Sequence, residues 1–187
     1  MNKWLGFFVV LAIFIATLVF SYNGLVQSKE EIATKEAVID VQLKRRGDLI
    51  GNLVESVKGY AAHESELIHS VSTARAKLVG VMPANEKAAA YEAASGALAR
   101  LIAIAESYPE LKADSNFRHL SDELAGTENR ISVARIDYNN AVAVYNKKII
   151  SIPTKFLADY LGFEKASYFV VAEADKAPSK ISFGTDK

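Results

Sequence analysis

The stretch Ile39 to Glu64, IDVQLKRRGDLIGNLVESVKGYAAHE, places Ile39, Leu43, Arg46, Ile50, Leu53, Val57, Tyr60 and Glu64 at alternating spacings of four and three. That period is the a/d seam of a packed helix. Two seam positions are charged, so Arg46 and Glu64 are candidate buried polar residues, each expected to meet an opposite charge across helices and to fix register more than to add stability. Lys44, Arg45, Asp48, Asn52 and Glu55 fall on the other side of the same helix, which gives it a packing face and a polar face. Lys44, Arg45, Asp48 and Asn52 are the candidate interaction surface; the plainer alternative is a solvated face. Gly47 and Gly51 stand four apart in the stretch, and each costs about 1 kcal/mol relative to Ala in a helix. They are the candidate hinge, or else small residues that let a neighbouring helix approach.

Upstream, the period weakens. The equivalent seam positions before Ile39 are Lys29, Ile32 and Glu36, too polar to bury well, so residues 23–38 read as a stalk. Before the stalk, Trp4 to Phe20 is uncharged and dominated by Leu, Ile, Phe and Val. As a helix it rises about 26 Å, and Ser21 and Tyr22 bring it near the roughly 30 Å hydrocarbon thickness of a bilayer. Residues 4–22 are therefore read as a transmembrane helix behind a short flank, residues 1–3. A cleaved signal peptide, with Lys3 as n-region and a cut near Ser21, is the competing reading; the apolar run is longer than a typical h-region, which favours a retained anchor. Lys3 on one side is set against Lys29 and Lys35 on the other, a difference of one residue that leaves the orientation open; Lys44, Arg45 and Arg46, at the edge of the window over which the rule acts, tip it toward a cytoplasmic bundle if counted.

Downstream, no proline interrupts Ser28 to Val79, and Gly80-Val81-Met82-Pro83 is expected to end this element with a left-handed glycine followed by a proline. A second helix between Asn85 and Tyr108 carries Ala90, Ala94, Ala97, Leu98, Leu101, Ile104, Ala105 and Tyr108 on one side, up to Pro109. Asp114, Ser115 and Asn116 supply N-cap chemistry for a third, whose seam runs Phe117, Leu120, Leu124, Thr127, Ile131, Ala134, Tyr138, Ala141 and Tyr145, closed by Ile152-Pro153. Short connections make these helices antiparallel neighbours. The first helix is too long for either partner, so it either bends near Gly47 and Gly51 to supply a fourth bundle helix or projects to pair with another subunit; the bend is favoured. The fold expected is all-α, a transmembrane helix followed by an antiparallel four-helix bundle over residues 39–152. Residues 153–172 then hold a short helix, Lys155 to Leu161 ending at Gly162, and the apolar run Tyr168 to Ala172; residues 173–187 read as a mobile tail.

Four blocks together resemble the LemA family of bacterial membrane-anchored helical proteins: YNGLV at Tyr22 to Val26, the Ile39 to Glu64 stretch, ESYPELKADSNF at Glu106 to Phe117, and ENRISVARIDYNNAVAVYN at Glu128 to Asn146. Gly51 stands where that family usually has proline, and Glu36 or Ala37 where it has tryptophan. The resemblance implies an N-terminal membrane helix carrying an antiparallel bundle, and no established enzymatic activity.

The 22 basic and 22 acidic residues cancel, so net charge gives no pull toward nucleic acid or anionic lipid. The triplet Lys44, Arg45 and Arg46 lacks aromatic interleaving, and no nucleic-acid partner is expected. Cysteine is absent, which removes disulfides and thiol chemistry. His63 and His69 are six apart and do not share a helical face as two zinc-binding imidazoles must. Glu66 and His69 form one Glu-x-x-His pair where a di-iron bundle needs two. No phosphate-binding loop, nucleophile elbow or triad spacing occurs, so no catalytic, cofactor, metal or small-molecule site is expected. The function expected is a non-enzymatic scaffold in the bacterial inner membrane, binding a protein partner or itself; alternatives are an oligomeric membrane-shaping protein and an accessory subunit of a membrane protease or transporter.

Overall fold

The computed structural model describes residues 3–61, 63–80 and 82–170, and among them every regular element is helical. In chain order these are α1 (Lys3–Lys58), α2 (Ser65–Leu78), α3 (Ala84–Ala105), α4 (Pro109–Ala113), α5 (Ser115–Ile150) and α6 (Thr154–Leu161). Met1 and Asn2 of the flank, the end of the expected apolar run at Val171 and Ala172, and the tail expected over residues 173–187 lie outside the described residues.

The axis of the fold is the antiparallel pairing of α1, which rises about 84 Å, with α5, about 54 Å. Contacts step down one helix as they step up the other: Lys148 Nζ donates to Gly24 O at 3.1 Å, Lys35 Nζ to Asp137 at 3.5 Å, Arg45 to Glu123 at 2.7 Å, and Tyr60 OH to Asp114 at 3.5 Å. The α1 seam is buried from Leu25 through Ile39, Leu43, Ile50, Leu53 and Val57, opposite Phe117, Leu124, Ile131, Ala134, Tyr138, Ala141 and Tyr145 of α5. Asp114 caps α5 by accepting from the amides of Asn116 and Phe117, both at 2.9 Å, which satisfies two of the donors a helix start leaves open.

Two expectations are corrected by this arrangement. Residues 23–38 do not stand clear as a stalk throughout, since Leu25, Ser28 and Ile32 within them are buried against the bundle. The polar seam position Glu36 is met by Lys87 of α3 at 2.8 Å, which also pairs with Asp40 at 2.6 Å. The reversal of the first helix also falls elsewhere. α1 is helical through Gly47 and Gly51 and ends at Lys58, where the amides of Tyr60 and Ala61 both bond to the Val57 carbonyl at Gly59 and close the last turn. α2 then runs back as a further bundle helix, packed against α1 and α3.

Gly47 and Gly51 instead admit α2. A Cβ on Gly47 would lie 2.5 Å from Val79 Cγ1, and one on Gly51 would lie 2.9 Å from Arg75 Cζ. Arg75 Nε uses the opening to donate to the Gly47 carbonyl at 2.6 Å. Gly80, expected to be left-handed, is not; among the described residues positive φ occurs at Gly162, φ +72°, which stops α6 as its sequence predicts. Pro109 does not end α3, which stops at Ala105; it opens α4, at the position where its missing N–H matters least.

After α6 the chain runs as an extended strap, residues 163–170, along α5. Asn146 exchanges two hydrogen bonds with the backbone of Ala166, at 2.9 and 3.0 Å, and Asn139 does the same with Phe169. Seven helical residues rise about 10.5 Å and three extended residues span about 10 Å, so asparagines two turns apart meet strap residues three apart. Phe169, 2% exposed, is the anchor.

Candidate functional site

The polar residues of α1 sort by where their helix face points. Arg46, on the seam, is 4% exposed. Its Nη1 donates to Glu128 Oε2 of α5 at 2.5 Å and its Nη2 to Ser95 Oγ of α3 at 3.1 Å, so one side chain ties three helices. The guanidinium also sits 5.2 Å from the centroid of the Tyr91 ring, and Arg135 lies 5.6 Å from the same ring and 5.1 Å from that of Phe169. These are cation–π distances. The result is a stack, Arg46, Tyr91, Arg135, Phe169, that runs from the centre of the bundle to the strap. The Nε atoms of both arginines lack hydrogen-bond partners among the described residues, their groups being held over rings instead.

The Tyr91 hydroxyl donates to Glu128 Oε1, so Glu128 receives one donor on each oxygen. Burial, and then this bond to a carboxylate, push the Tyr91 phenol up to about 12, with Arg46 and Arg135 pulling the other way. Burial works against the Lys87 ammonium, but its bonds to Asp40 and Glu36 outweigh that and raise its pKa. Both groups are thereby held in one protonation state across the physiological range. The arrangement fixes helix register, and its ionic and aromatic groups are committed to one another.

Glu64 does not share this interior. Because α1 ends six residues earlier, Glu64 lies half-exposed just ahead of α2 and takes no part in the Arg46 pair. Lys44, Arg45, Asp48 and Asn52 are all exposed, but they do not act alike. Arg45 is drawn to Glu123 of α5 at 2.7 Å, and Asp48 lies 3.8 Å from Arg75 of α2. Lys44 and Asn52 make no side-chain hydrogen bond or ion pair to another element among the described residues. His63, His69 and His119 are exposed, and no group of three His, Asp or Glu side chains suited to a metal occurs among the described residues.

Sequence reasoning missed Tyr91, Lys87, Arg135, Asn139 and Asn146. The α3 seam drawn from alanines includes Ala94, Ala97, Leu98, Leu101 and Ala105, which are buried, but its upstream continuation is Ala88 and Tyr91. The available signal was the spacing of three from Tyr91 to Ala94. Nothing local marks the asparagines, whose partners lie 20 and 30 residues away.

Of residues 4–20, all are exposed except Leu18, which is half-covered, and the run is apolar and long enough to cross a bilayer. Such a helix, continuous with a bundle whose interior charges are spent on register, defines a membrane-associated helical-bundle protein. The chain belongs to the LemA family, whose pattern matches residues 35–183. It is 30% identical over 191 aligned positions to Magnetosome protein MamQ 2 of Paramagnetospirillum magneticum, covering 88% of this chain and 70% of that protein. Magnetosome protein MamQ of Magnetospirillum gryphiswaldense is 29% identical, over 90% of this chain and 71% of its own length. Protein LemA of Metamycoplasma hominis is 26% identical, over 92% and 79%.

Proposed function

We propose that the chain is a non-enzymatic interaction protein, anchored by one helix in the bacterial cytoplasmic membrane, that binds a protein partner or a second copy through the outward face of α1. The observation that carries this reading is the continuity of α1. One uninterrupted helix serves as membrane segment up to Phe20 and as bundle core from Leu25, so whatever its outer face presents is held at a fixed angle to the anchor. That face begins apolar, with exposed Val26, Ala33, Ala37 and Val41, and continues polar through Lys44, Asp48, Asn52 and Glu55. A stripe of this kind, about 44 Å long, suits a helix laid alongside it. The relatives' names, two of which place their bearers with the magnetosome, state no catalytic activity.

The test reverses the free part of the polar stripe in the full-length protein, Lys44→Glu with Asn52→Lys, and leaves Arg45 to its partner. After cross-linking in membranes and purification in mild detergent, the variant is expected to lose the associated mass seen with the parent chain while its melting temperature is unchanged. Retention of the same associated mass would reduce the stripe to a solvated face and overturn the assignment.

A further inference from the structure

We propose that α6 is an interfacial foot that rests its outer face on the lipid bilayer beside the anchor helix. This inference rests on the reading of residues 4–22 as a membrane span and adds a second, monotopic contact.

The placement comes first. Lys148, near the end of α5, bonds to Gly24 O and Ser28 Oγ, at 3.1 and 2.5 Å. On the far side of α6, the Phe163 ring meets Tyr22 edge to face at 6.5 Å, with the Lys29 ammonium 5.8 Å from it. Between these two ties α6 packs against both α1 and α5. α6 therefore lies at the level of Tyr22 to Gly24, where a span beginning at Trp4 has risen the roughly 30 Å of a hydrocarbon core. Leu18, inside the apolar run, is the residue there that loses exposure.

The chemistry of the outer face follows. Ala158 points into the bundle and is fully buried, whereas Phe156 and Tyr160, spaced by four and so on one face of α6, are 67% and 86% exposed, and Ile152, just ahead of the helix, is 76% exposed. Ile150 of α5 and Leu161 extend the patch. Large apolar and aromatic side chains clustered in this way mark a contact surface. Tyr160, with an apolar ring and a polar tip, is of the residue type enriched at a bilayer interface, and Phe156 adds apolar area beside it. Lys147, Lys155 and Lys165 are exposed around the patch, and their long stems can lie along it while the ammonium groups reach lipid phosphates. The face is thus built as an in-plane amphipathic helix is built. Resting it on the bilayer also removes the rotational and tilting freedom that a single span leaves to the bundle.

The experiment uses the full chain carrying Trp4→Phe, which removes its one tryptophan, with a reporter introduced as Phe156→Trp or, separately, Tyr160→Trp. Val133→Trp, at an exposed position of α5, is the control. Each protein is reconstituted into phosphatidylcholine vesicles containing lipid brominated either near the head group or near the chain ends, and the vesicles are floated before fluorescence is read. The α6 reporters are expected to emit to the blue and to be quenched severalfold more by the shallow bromines than by the deep ones, while the control stays water-like and unquenched. Floated protein with water-like, unquenched α6 reporters overturns the foot and leaves the anchor standing. Blue-shifted emission that no brominated lipid quenches also overturns it, because a protein surface then covers α6. Protein that does not float with the vesicles overturns the anchor reading itself, and the foot with it.

Discussion

Arg46 of α1 and Glu128 of α5 meet at 2.5 Å across the bundle, the guanidinium almost wholly buried and the carboxylate about half-exposed. The asymmetry decides what each substitution does. Removing Glu128 strands a buried cation, whereas removing Arg46 leaves a carboxylate that water can reach.

Glu128→Ala is therefore expected to destabilise the bundle by roughly 3 to 5 kcal/mol. Arg46→Met, which keeps the volume against Tyr91, should cost less than about 1.5 kcal/mol, and the double variant should recover most of the Glu128→Ala loss. Glu64→Ala should change stability by less than about 0.5 kcal/mol, as at an ordinary surface site. Denaturant melts of the four variants test the ordering; equal losses from both single pair variants would contradict it.

The two α1 glycines should part company on substitution by alanine. At Gly47 the added methyl meets the stiff side chain of Val79, and a loss of about 1 to 3 kcal/mol is expected. At Gly51 it meets the far end of Arg75, which can swing aside only by giving up its bond to the Gly47 carbonyl, so the gain in helix propensity, up to about 1 kcal/mol, should be largely offset and the net change should be smaller than at Gly47. If the pair were a hinge, both alanines would instead stiffen α1 alike.

The strap offers a residue-resolved readout. Asn146→Ala and Asn139→Ala each remove an acceptor from one strap amide, that of Ala166 or Phe169, and should speed hydrogen exchange at the matching amide most. Phe169→Ala, emptying a buried site, should release both and cost roughly 3 to 5 kcal/mol. Uniform exchange in all three variants would mean that the strap has no separate hold.

Alkaline pH should weaken the bundle through Tyr91 and Lys87. Both pKa values are raised on folding, so the folded state holds its protons longer than the unfolded chain. The stabilisation is complete below about pH 10 and is lost as pH climbs through the folded values. For Tyr91, between its ordinary value of 10.0 and about 12, the loss is roughly 2 to 3 kcal/mol. Tyr91→Phe should flatten part of this decline in melts taken from pH 9 to 12; an unchanged slope would count against the buried phenol as its source.

The sequence by itself determined much of what repeats along one helix. The spacing of four and three from Ile39 to Val57 marks the buried side of α1, the α5 seam from Phe117 to Tyr145 is read correctly, Asp114 is recognisable as a cap, and Gly162 as a stop. Each of these follows from local geometry, in which a side chain's direction is set by its number in the turn. It also separated the outward Lys44, Arg45, Asp48 and Asn52 from the inward Arg46. Only the tertiary structure decided matters that depend on which helix lies opposite. A glycine pair four apart is compatible with a bend or with a close neighbour, and the approach of Val79 and Arg75 selects the second. The helix reverses at Gly59 because α2 has a groove to return to, which withdraws Glu64 from the seam. The polar seam position Glu36 discourages burial until Lys87 arrives from a helix more than 50 residues away, and the buried line runs through Ser28, bonded to Lys148, instead of through the exposed Lys29. A buried charge can be inferred from its position in one helix, but its partner belongs to the packing of two.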